Sequence, residues 1–507
     1  MKKTNYILFL FALFLFTGCE DFLNEEPENS VTNANFWKTG QDLEAATYGM
    51  HTLFREVFGS VTMYTRDRGL PFDYMNAQWQ RPSEGTPTNW RSTSAELNWV
   101  SIYKLIAQCN LILDNIGKAD IPIERNNFYT GQALCTRAYA YFYLTRTWGD
   151  VPLIKESVDV GEKARSKWQE VQDIIIEDLK KAAKLLPLAT NLTNEDGSAI
   201  TSKQVPAKGT AWAILAHLYA WKASLNKEPE LNQLALAACD SVIGDQSYRL
   251  ADNIKDVCEV VIRGNSAEGI FELNYSKDSD TDLKSLGSYG ANMFQKYPIV
   301  PLSTPSTRRT LLRLNNATAM ALFPDLNDER RSEYFHELDL MAKEPTSITQ
   351  GAAYIQKWRG VVTYTDGSQV GQIKTYEDNE ILIRLADIIL LRAELRANTG
   401  DQNGAISDLN TIRNRAKAHA YSAEEGDLKE VIALEREKEL FLETPNLRYF
   451  DIVRNGTFRE KLRGKYKTLT DQDVTDGALY IPVSIAAFDN NTLMKQTPYW
   501  TRNGYAY

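Results

Sequence analysis

Helical periodicity that recurs in neighbouring pairs is the feature that most restricts how these 507 residues can fold. The clearest pair runs from Ile381 to Asn398, stops at Gly400, a residue suited to a left-handed cap, and restarts at Asp401 to continue to about Ala418. So short a turn forces the two helices to lie antiparallel. Three earlier pairs follow the same plan. Leu43 to Val57, opened by a capping-box pattern at Thr39 and Asp42, precedes Ala95 to Ile116. Phe128 to Trp148 precedes Lys167 to Leu186, opened by Ser166 with Gln169 and stopped by Pro187. Pro206 to Leu225 precedes Glu230 to Ile243, with Pro206 suited to a first helical turn.

Small residues on one face and large apolar or aromatic residues on the other make these pairs resemble tetratricopeptide units, without a strict 34-residue repeat. Two stretches break the pattern. Residues 66–91 are rich in Pro, Gly, Asn and aromatics, and residues 244–380 lose helical period and carry strand-like runs such as Gly269 to Tyr275. The expected fold is therefore mainly α: a helix-pair scaffold over about 35–243 and 381–455, with an irregular half of loops and short strands built from the two excursions.

The first nineteen residues have the parts of a secretory signal: Lys2 and Lys3, an eleven-residue apolar run from Tyr6 to Phe16, then Thr17, Gly18 and Cys19. That run is too short to span a bilayer, which takes roughly 20 apolar residues. Cysteine after a small residue resembles the lipobox of bacterial lipoproteins, with Phe16 where Leu is usual, so the expected organisation is a signal over 1–18, an acylated Cys19 with a tether over 19–34, and one domain over 35–507. Such a chain is anchored by lipid and does not span the membrane. Loss of Lys2 and Lys3 leaves 55 basic against 66 acidic side chains, moving the net charge from −9 to −11. A surface of that sign repels phosphate backbones, so nucleic acid is not an expected partner. Cys109, Cys135, Cys239 and Cys258 form no C-x-x-C pair; the first three sit in apolar helical surroundings, and buried free thiols are expected.

Arg137-Ala-Tyr-Ala-Tyr-Phe-Tyr-Leu144 followed by Trp148-Gly-Asp-Val-Pro-Leu153 resembles a stretch characteristic of the SusD/RagB family, the surface glycan-binding lipoproteins of Bacteroidota. In collinear order with it stand Asn35-Phe-Trp-Lys38, the Trp99, Tyr103 and Asn110 spacing, Asp328-Glu-Arg-Arg331, Arg384 to Glu394, Glu435-Arg436 with Glu439, Arg448 to Arg454, Leu479-Tyr-Ile-Pro482 and Gln496 to Trp500. The chain departs from the family at Glu443-Thr-Pro-Asn-Leu-Arg448, where Glu-Gly-x-Arg is usual, and at Tyr480-Ile-Pro, where Tyr-Pro-Ile-Pro is usual. The resemblance implies four tetratricopeptide-like pairs bracing a ligand-bearing half, an outer-membrane location facing the cell exterior, and docking as a lid on a SusC-like transporter that depends on TonB. Within these motifs Arg137, Trp148, Asp150, Arg384, Asp387, Arg448, Asp451 and Arg454 are expected to lock helix contacts, because a buried charge persists only when paired.

No catalytic arrangement stands out. Glu435 and Glu439 lie one helical turn apart amid Arg436 and Lys438 and read as an ion-paired surface instead of a glycosidase pair. Asp278, Asp280 and Asp282 imitate the start of a calcium loop, but Leu283 and Tyr289 replace its Gly and Glu. His51, His217, His336 and His419 share no metal-ligand spacing, and neither a phosphate loop nor a nucleophile elbow occurs, so no cofactor or metal is expected. Binding remains. Sugar rings lay apolar C–H faces on aromatic planes, and Tyr and Trp add a polar edge. The candidate contacts are Asp73, Tyr74, Trp79, Arg81, Asn89 and Trp90 in the first excursion and Tyr289, Tyr297, Trp358 and Tyr364 in the second; Trp99, Trp148, Trp168, Trp212 and Trp221 fall on scaffold helices and are expected to pack the core. The ligand expected is an oligosaccharide handed to the transporter. A peptide ligand, as in RagAB-like systems, and a purely structural role in transporter assembly are the alternatives.

Overall fold

The computed structural model describes residues 36–59, 68–75, 80, 83–86, 98–159, 161–275, 312–344, 351–371, 373–444 and 447–505. Six helices make the first three pairs: α1 (Gly40–Phe58), α2 (Val100–Asn115), α3 (Ile123–Trp148), α4 (Trp168–Leu185), α5 (Lys208–Leu225) and α6 (Leu231–Ile243). After the irregular half come α7 (Leu385–Thr399), α8 (Gln402–Arg415), α9 (Leu428–Glu439) and α10 (Leu447–Arg454). Helices α3 and α4, α5 and α6, and α7 and α8 pack against each other as adjacent pairs. The capping box at Thr39 and Asp42 is formed, and Gly400 closes α7 at φ 91° in the left-handed region that favours glycine.

Helix α3 occupies the middle of the scaffold and is buried along nearly its whole length. Small residues, Gly131, Ala133, Ala138 and Ala140, let neighbours approach, while Tyr139 and Tyr143 join Phe54, Phe58 and Phe271 in edge-to-face and tilted contacts at 5.0 to 5.6 Å between ring centres. Arg137 bridges three helices, gripping Asp178 of α4 at 2.8 and 2.9 Å and donating to Asn110 Oδ1 of α2 at 2.8 Å. Trp99, Trp148, Trp168 and Trp221 are buried and Trp212 is half-buried, as core packing requires. The four cysteines are free and buried, and burial pushes the Cys109 thiol up to about 12.

Three expectations are corrected. Ser166 does not cap α4; it forms a backbone bridge with Val151, and the Asp150 carboxylate accepts from the Trp168 N–H at 3.0 Å instead. The helix expected from Ile381 begins only at Leu385, because Glu380–Arg384 is a fully buried strand, β8, paired antiparallel with β2 (Gly269–Leu273). A short continuous apolar run satisfies a buried strand as well as a buried helix, and a neighbouring strand decided between them. Glu435 and Glu439 are not a surface pair; both are buried among arginines.

The irregular half contains a four-stranded antiparallel sheet in the order β1 (Tyr74–Met75), β3 (Leu312–Asn315), β5 (Ala352–Ile355), β4 (Phe335–His336), and a hairpin of β6 (Val361–Thr363) with β7 (Ile373–Tyr376). It has its own apolar cluster, in which Phe323, Tyr334, Phe335 and Phe441 meet near the sheet.

Candidate functional site

The two excursions, more than 200 residues apart in sequence, are strands of one sheet: Tyr74 lies opposite Arg313 and Met75 opposite Leu312. Because β3 also runs antiparallel to β5, with Leu314 opposite Ala353 and Asn315 opposite Ala352, three chain crossings fall at the same end of the sheet. There β1 ends at Met75, β3 begins at Leu312, and β5 ends at Ile355, shortly before Trp358.

Of the candidate contacts, Tyr74 is half exposed, with the Arg313 guanidinium 5.8 Å from its ring centre. Arg313 was not singled out in the sequence, although the alternation of inward Leu312 and Leu314 with outward Arg313 and Asn315 carries the signal. Both Asp73 oxygens are occupied in bracing: Oδ2 accepts from the Asn315 N–H at 2.6 Å and Oδ1 from the Thr318 hydroxyl at 2.8 Å, which fixes the start of the short helix Asn316–Leu322. Trp358 is half-buried after β5, with the Lys357 ammonium 5.4 Å from its ring, and Tyr364 is half-buried just after β6. Trp79, Arg81, Asn89, Trp90, Tyr289 and Tyr297 lie outside the described residues, as do Cys19 and the Asp278, Asp280, Asp282 series.

Behind this face, charge is used to hold the two halves together. Arg384, fully buried at the end of β8, donates to Glu443 at 2.7 Å and to Glu268 at 2.6 Å, and pairs with Glu439 at 2.7 Å. Arg415 reaches Glu268 at 2.9 Å and also pairs with Glu439; Arg330 holds Asp328 at 2.8 Å and Glu435 at 2.6 Å; Lys357 meets Glu443 at 2.5 Å. Burial by itself would raise the Glu439 carboxyl, yet Arg415, Arg384 and Arg330 hold it well below the usual carboxylate range. A carboxylate sealed and permanently ionised in this way has no access to a glycosidic oxygen and no proton to give it, so the Glu435 and Glu439 pair is a brace.

Two acids at the junction behave differently. Burial pushes Glu272 up to about 7, against the hydrogen bonds its Oε2 accepts from Asn379 and the Asn265 N–H at 2.8 Å each, and burial also pushes Asp378 up to about 7. A carboxyl raised from about 4.5 binds its proton more tightly in the folded chain, so this stability is present at low pH and is lost as pH rises from about 4.5 through 7. Glu272→Gln is accordingly expected to raise the thermal midpoint at pH 8 and to change it little at pH 4.5, with a difference on the order of 2–3 kcal/mol between the two conditions. Thermal melts of both proteins across that range check it, and a lower midpoint for the variant at pH 8 contradicts a Glu272 carboxyl raised by burial.

Comparisons with known proteins agree with the geometry. The pattern of the SusD family matches residues 268–500, and that of a second, SusD-like group, described as starch-binding and associating with the outer membrane, matches residues 21–220. SusD-like protein P38 of Formosa agariphila is 25% identical over 98% of this chain and 100% of its own, and a SusD-like protein of Bacteroides ovatus is 24% identical over 83% of this chain and 78% of its own. Among solved structures, a SusD homolog from Bacteroides thetaiotaomicron superposes with a TM-score of 0.76 at 21% identity, covering 92% of this chain and 99% of that one. NanU of B. fragilis superposes with a TM-score of 0.70 at 19% identity, covering 95% and 100%. Proteins of this kind bind glycans at the outer membrane and are not enzymes. The family patterns take in both the scaffold and the irregular half, and with the helix pairs and the sheet that joins the excursions they place this chain in the SusD/RagB family.

Proposed function

We propose that this chain captures an oligosaccharide outside the cell and passes it to a SusC-like, TonB-dependent outer-membrane transporter, as a lid anchored by an acylated Cys19. The observation that carries the reading is the strand register, which brings the end of β1, the start of β3 and the end of β5, shortly before half-buried Trp358, to one end of the β1–β3–β5–β4 sheet, beside exposed Tyr74 and half-buried Arg313. Aromatic planes with a guanidinium and amides beside them suit sugar faces and hydroxyls, and a rigid scaffold behind loops is a common way to present such a surface. The 1–18 signal, the 19–34 tether and the single unit over 35–507 belong to the same proposal.

Two readouts test it. Residues 20–507 are expected to be retarded in native gels containing one class of polysaccharide and not in gels lacking it. In the producing cell, Cys19→Ala is expected to shift the protein from the outer-membrane fraction to a soluble one while leaving that retardation intact. Retention of the variant in the membrane without lipid overturns the anchor, and absence of retardation across the polysaccharides tested counts against saccharide capture.

A further inference from the structure

A cavity of about 630 Å³ lies where the scaffold meets the irregular half, walled by α5, α7, α9, α10 and the turn from Leu440 to Thr444, and closed on one edge by Gly69–Pro71. That volume falls inside the roughly 300–1,000 Å³ typical of small-molecule sites. Its floor is apolar: Leu395, Leu440, Phe441 and Ile452 are buried along it, and Leu434 stands half exposed at its mouth. Phe441 is the only aromatic among the lining residues and is itself buried, so no flat ring is offered to a sugar. This sets the cavity apart from the saccharide face.

The charges around it fall into two groups. Arg436 and Arg454 in the wall are matched by Glu394 and Asp451 and present no net charge inward. At the rim, Lys227, Lys429 and Lys461 are exposed and make no ion pair among the described residues, with Glu430 as their one unpaired acidic neighbour in the lining. A smaller cavity of about 190 Å³ on the other side of Gly69–Pro71 shares Lys461 and the ion pair of Arg448 with Glu437, and adds Arg463. In a chain of net charge −9 this local excess of cations runs against the whole. An apolar floor with a cationic rim is complementary to a molecule that is itself divided, an apolar body ending in one anionic group.

We infer that this cavity is a second binding site, separate from the saccharide face, for a small amphiphilic anion whose apolar body lies on Leu395, Leu440 and Ile452 and whose carboxylate or sulfonate meets Lys227, Lys429 and Lys461. The test is a fluorescence and calorimetric titration of residues 20–507 with anilinonaphthalene sulfonate and with dodecanoate, alongside uncharged N-phenylnaphthylamine. One saturable site per chain is expected, with the sulfonate bound about tenfold more tightly than its uncharged counterpart. The combined variant Lys227→Glu, Lys429→Glu and Lys461→Glu is expected to lose that preference and to keep the native thermal midpoint. Lys465→Glu with Lys467→Glu, outside the lining, serves as the charge control and is expected to bind as the native protein does. Absence of saturable binding, equal affinity for charged and uncharged probes, or a rim variant that binds as tightly as the native protein each overturns the inference.

Discussion

Arg384→Met is expected to destabilise the folded protein by about 3–5 kcal/mol, the cost of leaving a buried cluster of carboxylates short of a positive charge. The side chain is fully buried and touches Glu268, Glu439 and Glu443 at once, so its loss leaves three buried acids one cation short, with only Arg415, Arg330 and Lys357 left to balance them. Glu268 and Glu443 flank the strands and turn of the junction, whereas Glu439 ends α9 of the scaffold, so the same substitution loosens the attachment of one half to the other. Arg459→Met supplies the comparison: its partner Asp471 is exposed, and such a pair contributes at most about 1 kcal/mol. Denaturant unfolding of the two variants beside the native chain separates them. If Arg384→Met falls within about 1 kcal/mol of Arg459→Met, the buried network is not what braces the irregular half.

Trp90→Ala and Trp79→Ala are each expected to weaken saccharide binding by about tenfold to a hundredfold, the loss of one large aromatic plane from a sugar face. Tyr74→Ala, removing a half-exposed ring beside Arg313, is expected to have a smaller effect in the same direction. None of the three is expected to move the thermal midpoint as far as Trp148→Ala, since Trp148 is fully buried where α3 ends. Affinity gels and melts on the same preparations distinguish loss of a contact from loss of the fold. Unchanged saccharide binding in both tryptophan variants removes the proposed face.

The scaffold was legible in the sequence because amphipathic spacing and caps act locally. Gly400 could end a helix wherever it folded, and Asp401 could start the next, as its acceptance from the Gly404 N–H shows. The role of Arg137 was legible as well, since a charge inside so apolar a helix has to find a partner. What was not legible depends on chain segments distant in sequence. Ile381 to Arg384 reads as helix until β2 is known to lie beside it, and Glu435 and Glu439 read as surface until Arg330, Arg384 and Arg415 close over them. The pairing of Tyr74 with Arg313 has the same character: the first excursion reads as loop and the second as loops with short strands, and only their register makes a common face. The cation-rimmed cavity had no signal along the chain, because its walls come from several helices and loops far apart in sequence.

The most direct test of the account is calorimetric titration of residues 20–507 with a panel of oligosaccharides and peptides, with each mixture assayed afterwards for cleavage products. The account predicts saturable binding of one saccharide class, lost in Trp90→Ala, with every ligand recovered intact. Turnover of a bound saccharide, or saturable binding confined to peptides, would contradict it.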